Sequence, residues 1–186
     1  MELCYSDIEV LNHAPYHFIS TRKTCEYRCN IMRTAKAIGA SLHIIGPLVF
    51  SIDDKSLKRA GMDYIEGLSY TLYENMDDFL NQHPNADIYY ITRYGKKVYS
   101  HQDFSRIGHD YYIMFGREST GIPHDILRAH MDRCLRIPMV PSARSLNLSN
   151  CVSLVAYEVL RQQNFFGLST EEVIKGEDFL ENEELK

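Results

Sequence analysis

No stretch of this sequence stays apolar for the roughly 20 residues that a bilayer span requires. The longest apolar run, near residues 42–50, is broken by Gly46-Pro47. The opening MELCYSDIEV has neither a basic start nor an apolar core, so no secretory signal is expected. Cysteine is sparse and odd in number: Cys4, Cys25, Cys29, Cys134 and Cys151. Such a set implies reduced thiols in a cytoplasmic setting and not a disulfide framework. Cys25-x₃-Cys29 has loose metal spacing, but no second Cys or His pair follows at zinc-site spacing, so no metal is expected. Three ligand signatures are missing too. The sequence has no G-x-G-x-x-G after a first strand, no G-x-x-x-x-G-K-[ST] and no G-x-S-x-G. A Rossmann dinucleotide site, a P-loop and a nucleophile elbow are therefore unsupported.

What is present fits one globular domain. The 186 residues are 45% hydrophobic and 24% charged, enough to bury a sizeable core. A net charge of −5 argues at first against nucleic acid. The charge is uneven, however. Residues 171–186 hold seven acids and two lysines, so that tail carries the whole net charge and the rest is neutral. Basic groups within the neutral part, such as Lys55-Lys58-Arg59, Arg93-Lys96-Lys97 and Arg133-Arg136, are either solvated faces or an RNA-facing surface. RNA contact depends on local potential, not on net charge. No DNA or membrane partner is expected.

Periodicity alternates strands with helices. YHFIS (16–20), LHII (42–45), IYYIT (88–92), YYIMF (111–115) and CLRIP (134–138) read as short strands. Helices are predicted over 28–38, stopped by Gly39, and over 53–60, 75–82, 123–130 and 147–163. Asn147 or Ser149 is the expected N-cap of the last helix. Short apolar strands without clean alternation suit a mostly parallel sheet covered on both faces, an α/β fold.

In such sheets ligands sit beyond the carboxyl ends of the strands. Three of these ends are polar and carry Gly or Ser: 91–95, 115–123 and 137–150. A glycine after a strand either turns the chain or lets backbone approach a ligand. Three such loops at neighbouring ends favour a site. The third contains MVPSARSLNLSN (139–150), with one Arg, three Ser and two Asn where the last helix begins. That is more donors and acceptors than a turn requires.

Together, NIMRTAKAIGASLHIIGP (30–47), DDKSLKRAGMDY (53–64), FGRESTGIP (115–123) and IPMVPSARSLNLSN followed by VSLVAYEVLRQ (137–161) resemble the SpoU class of SPOUT RNA 2′-O-methyltransferases. The short chain is similar to the TrmL-type subgroup, which acts on the wobble nucleotide of tRNA. The resemblance implies a parallel α/β sheet with a C-terminal trefoil knot, spanning 16–168, with 1–15 an extension and 169–186 an acidic tail. It implies S-adenosyl-L-methionine (SAM) as cofactor, the tRNA anticodon loop as partner, and a homodimer that shares its active site between subunits. Ile91, Gly116, Ile137 and Ser145 fall on cofactor positions. Arg33 falls on the catalytic arginine, Glu118, Ser145, Asn147 and Asn150 on polar motif positions, and Tyr157 on the helix tyrosine near the active site.

The family scheme makes the arginine a general base. A guanidinium keeps its proton in proteins. The physical reading is that Arg33 binds phosphate and the 2′-oxygen and stabilises developing alkoxide charge; outside the motif it would read as a helix-surface ion pair. The chain departs from the family where P-x-N-x-G precedes the N-I of the motif: Cys25, Tyr27 and Cys29 replace the Pro, Asn and Gly. Two other outcomes stay open: methylation of rRNA or another tRNA site, and a SAM- or RNA-binding module without turnover.

Overall fold

The computed structural model describes residues 16–20, 25–46, 68–117 and 120–182, with side chains from residue 30 onward. The elements are β1 (Tyr16–Ser20), α1 (Cys25–Ala37), β2 (Ser41–Ile45), β3 (Tyr70–Tyr73), α2 (Met76–Gln82), β4 (Asp87–Ile91) and β5 (Lys97–Val98). Then follow β6 (Tyr111–Phe115), α3 (His124–Ala129), β7 (Cys134–Arg136), α4 (Leu148–Gln162) and α5 (Phe179–Asn182). The strands form one sheet in the order β3-β2-β1-β6-β4-β7-β5, and every described pairing is parallel. This is the α/β architecture expected.

All five residues of β6 are buried, as befits a central strand covered on both faces. The period-2 pleat still sorts them. Tyr111, Ile113 and Phe115 join the core under α1 and α4. Tyr112 and Met114 join the core under α2 and α3, with Phe79 and Leu127. α4 turns Val152, Val155, Ala156, Val159 and Leu160 onto Ile31, Met32 and Ala35 of α1. Each fully buried aliphatic side chain contributes about 1.5–3 kcal/mol relative to exposure. Two glutamines fix the far end of α4. Gln162 accepts from Phe104 N (2.7 Å), and Gln163 Nε2 donates to the Phe104 carbonyl (2.8 Å).

α1 begins at Cys25, three residues before the expected start. The helix thus opens at the position where the family pattern has Pro and runs through the one where it has Gly, a residue that weakens a helix interior. It ends at Gly39, whose φ is +67°. Ala40 N reaches the Ala35 carbonyl and Gly39 N the Lys36 carbonyl, the paired bonds of a Schellman stop. The start of α2 carries a side-chain cap, Asn75 Oδ1 accepting from Asp78 N (2.9 Å). The helix expected over 53–60 lies outside the described residues. β3 and β5 were not expected.

A polar chain crosses the core between β2, β3 and β6. His43 Nδ1 bonds the Tyr73 hydroxyl (2.8 Å), which bonds His83 Nε2 (2.9 Å). The Tyr112 hydroxyl lies 3.4 Å from His83 Nδ1. A hydroxyl donates only once, so Tyr73 donates to one ring and accepts from the other. Burial pushes the His83 imidazole below its ordinary range. The unfolded chain therefore takes up that proton more readily. Stability is full above about pH 6.5 and falls as the pH drops below it. Urea midpoints at pH 7.5 and 5.5 are expected to differ more for the native chain than for His83→Gln. Equal differences would remove His83 as the cause.

Candidate active site

β6, β4 and β7 are neighbours, so the loops after Phe115, Ile91 and Arg136 leave the same edge of the sheet. They enclose a cavity of about 400 Å³. Ile91, Gly116, Ile122, Ile137 and Leu148 form an apolar floor; Thr92, Tyr94, Arg144 and Ser145 stand among its polar and aromatic edges. The four expected cofactor contacts, Ile91, Gly116, Ile137 and Ser145, all line this one space.

The loop after β6 folds back on itself. Arg117 and Gly121 exchange two backbone hydrogen bonds (3.1 and 2.7 Å), and Gly121 takes φ +71°. A Cβ on Gly116 would lie 2.2 Å from the Gly121 carbonyl carbon and 2.3 Å from Ile122 N. Gly116 is thus required by the backbone packing of its own loop, a reason separate from the approach to a ligand. Glu118 lies outside the described residues.

A second hollow, about 360 Å³, runs between α1 and α4. Arg33 and Tyr157 both open into it, with Asn30, Thr34, Asn150 and Ser153. Arg33 is exposed, and Tyr157 is 48% exposed. The Thr34 and Ser153 hydroxyls meet at 3.0 Å and tie the two helices together; this pair carried no motif signal. Ser153 Oγ also lies 3.0 Å from the Ser149 carbonyl and Thr34 Oγ1 3.1 Å from the Asn30 carbonyl; with one proton each, one hydroxyl donates to its own carbonyl and the other donates across the helices.

The first turn of α4 divides the two spaces. Leu148 and Cys151 face the cavity, while Ser149 and Asn150 face the groove. Asn147 lines neither. Its Oδ1 accepts from Ser149 N (2.9 Å) and Ser149 Oγ (2.6 Å), making it the N-cap of α4. Burial pushes the Cys151 thiol up, so it stays protonated and a poor nucleophile. Of the sequence's basic groups, Arg133 is paired with Asp87, and Arg136 Nη1 donates to the Arg93 carbonyl (2.7 Å). These two arginines serve the fold. Among the described residues no cluster of three or more His, Cys, Asp or Glu could hold a metal, and no helix is long and apolar enough to cross a membrane.

A parallel sheet with one cavity over its carboxyl edge is the architecture of a cofactor-using α/β protein. The chain belongs to the SpoU rRNA methylase family, whose model matches residues 29–157. A relative from Geobacillus stearothermophilus, provisionally named a tRNA (cytidine(34)-2′-O)-methyltransferase, is 50% identical over 140 residues, covering 75% of this chain and 89% of its own. Among solved structures, a provisionally named RNA methyltransferase from Bacillus anthracis superposes with a TM-score of 0.80 at 41% identity, covering 84% of this chain and 99% of that one. Another structure, reported for the 2-OH methylation of C/U34 on tRNA, has a TM-score of 0.68 at 33% identity, covering 81% and 99%.

Proposed function

We propose that this protein transfers the methyl group of SAM to the ribose 2′-hydroxyl of the wobble nucleotide, cytidine or modified uridine 34, of tRNA in the cytoplasm. The observation that carries the reading is the two-sided wall at the start of α4, with a cofactor-sized cavity on one side and the Arg33 groove on the other. The relatives' names supply the nucleotide.

The cavity fits SAM. Its volume lies within the usual 300–1,000 Å³ of ligand sites. The apolar floor suits an adenine, and the hydroxyls and backbone of the rim suit a ribose and an amino-acid end. Ile91, Gly116, Ile137 and Ser145 would hold it. When bound, SAM supplies an electrophilic methyl group on a sulfonium. The protein's own task is to place the ribose oxygen and stabilise it as its proton leaves. Alignment of this kind is worth up to about 7–11 kcal/mol. Arg33 supplies a fixed cation for that oxygen, and Tyr157 and Asn150 supply polar neighbours in the same groove. Glu118 is assigned to the same site by family resemblance alone. In this reading the catalytic domain spans 16–168, carries the family's knot, and excludes the acidic tail.

Within one chain Arg33 opens into the groove and not into the cavity. A shared site in a homodimer packed through α1 and α4 accounts for this. Leu154 and Tyr157, 38% and 48% exposed on α4, provide contact area. Light scattering at micromolar concentration is expected to give twice the 21.6 kDa chain mass. A 21.6 kDa particle would refute the shared site.

The test of function is nucleoside mass spectrometry of tRNA from cells with and without the gene. Loss of 2′-O-methylation at position 34 is the expected result. A methyl group missing elsewhere, in rRNA or another part of tRNA, would keep the enzyme class and overturn the wobble assignment. No missing methyl group would favour a binding module without turnover.

A further inference from the structure

We propose that Tyr94, with Arg93 beside it, is a stacking platform for a nucleobase of the RNA substrate. The proposal rests on the RNA reading above and names a positioning residue for it.

The loop that carries the ring is pinned. Thr92 N donates to the Leu135 carbonyl (2.9 Å), and Gly95 N to the Thr92 carbonyl (3.3 Å). Tyr94 N donates to Thr92 Oγ1 (3.3 Å), and the Arg136 guanidinium holds the Arg93 carbonyl (2.7 Å). Gly95 is pressed against β7 so closely that a Cβ there would lie 2.6 Å from the Leu135 carbonyl carbon. Residues 92–95 are therefore set by the sheet, and the ring is presented from a fixed backbone.

That ring is 51% exposed at the rim of the cavity, while Ile137 on the floor is 8% exposed. An aromatic this open gains little from the core. The His124 ring packs against it in a T-shaped pair, at 5.3 Å between centroids and 87° between planes. The Arg93 guanidinium lies over one face of the ring, its carbon 5.6 Å from the centroid, which leaves the opposite face for a base. Among the described residues no carboxylate is paired with Arg93. An exposed aromatic ring whose neighbouring guanidinium is held by no carboxylate is a surface on which unstacked bases settle, and the adjacent cation meets the phosphate. A cofactor on the cavity floor would leave the outward half of the ring for the RNA. The platform is tolerant of base identity, because every base has a π face.

The chain contains no tryptophan, so Tyr94→Trp introduces a single fluorophore at the platform. We would titrate that variant with an anticodon stem-loop RNA, following tryptophan emission and, in parallel, the anisotropy of labelled RNA. SAM alone is a separate arm. Quenching by RNA at the concentration where anisotropy rises, with none from SAM, is the expected result. RNA binding without quenching overturns the platform and leaves the RNA reading intact. Quenching by SAM alone assigns the ring to the cofactor and overturns it as well. Absence of any RNA binding overturns both. Steady-state kinetics do not depend on the tryptophan variant folding. Tyr94→Leu is expected to raise KM for RNA about 10-fold or more, the loss of one stacked base, with SAM affinity unchanged. Tyr94→Phe should keep the native KM. A native KM in Tyr94→Leu, or an equal loss of SAM affinity, would defeat the proposal.

Discussion

Arg33→Ala is expected to cut methyl transfer by about 10²–10³-fold while SAM binding stays near the native value; removal of one donor to developing anionic charge has that cost in other enzymes. The expectation follows from where the side chain sits. Arg33 opens into the α1–α4 groove with Tyr157 and Asn150, and it does not line the cavity built for the cofactor. Its loss should therefore act on the ribose and leave cofactor affinity alone. Arg33→Lys should recover little. An ammonium is a point charge, whereas a guanidinium presents a planar fork that can hold phosphate and the ribose oxygen together. Calorimetry with SAM and single-turnover methyl transfer to tRNA separate the two effects. An alanine variant that transfers at the native rate would sink the catalytic assignment; one that no longer binds SAM would place Arg33 in the wrong role.

The distinction between groove and cavity was not legible in the sequence. The motifs give residue types in order, and they placed Arg33, Ser145 and Asn147 in one site. Three-dimensional packing separates them: Asn147 is committed to capping α4, Ser145 stands at the cavity, and Arg33 faces the other side of that helix. What was legible is what burial and period dictate. β1 and β6 lie on the predicted residues; for β6 a continuous apolar run leaves few alternatives. The last helix fell within one residue at each end, since its apolar face and Asn cap agree. The misses have physical causes. β3 is an outer strand with two exposed residues, so it lacks the apolar run of a central strand. β5 is two residues long and exists only by pairing with β7. The early start of α1 lies at residues 25–27, ahead of the apolar positions from Ile31 onward on which the periodicity rests.

The basic residues show the same limit. Arg133 and Arg136 look in sequence like a patch offered to solvent. In the fold one neutralises Asp87 and the other clamps the backbone of the 92–95 loop. Charge composition located the cations, and only packing showed that these two are engaged within the fold.

Gly116→Ala is the second substitution with a large expected effect. The usual argument for a glycine at the end of a strand is conformational freedom, or space for a ligand. Here the constraint is backbone against backbone. An added methyl would lie 2.2 Å from the Gly121 carbonyl carbon, 2.3 Å from Ile122 N and 2.7 Å from Gly121 Cα. None of these is the tip of a flexible side chain, so the Arg117–Gly121 pair must move, and with it the floor residue Ile122 and the edge residue Thr120. Overpacking of this kind costs about 1–3 kcal/mol, and contact with backbone belongs at the upper end. SAM affinity should fall with it by an order of magnitude or more, because the displaced loop is one of the three cavity walls. Gly121→Ala is the control on the same turn. Its φ of +71° makes any side chain strained, by about 1–2 kcal/mol, yet nothing lies within 4 Å of the added methyl. It should therefore lower the urea midpoint without displacing the backbone of the turn, and, although Gly121 also lines the cavity, SAM affinity should fall less than in Gly116→Ala. Measured side by side, the two variants separate a loop that is merely strained from one that is displaced. Native SAM affinity in Gly116→Ala would mean that the fold-back of 117–121 does not shape the cavity.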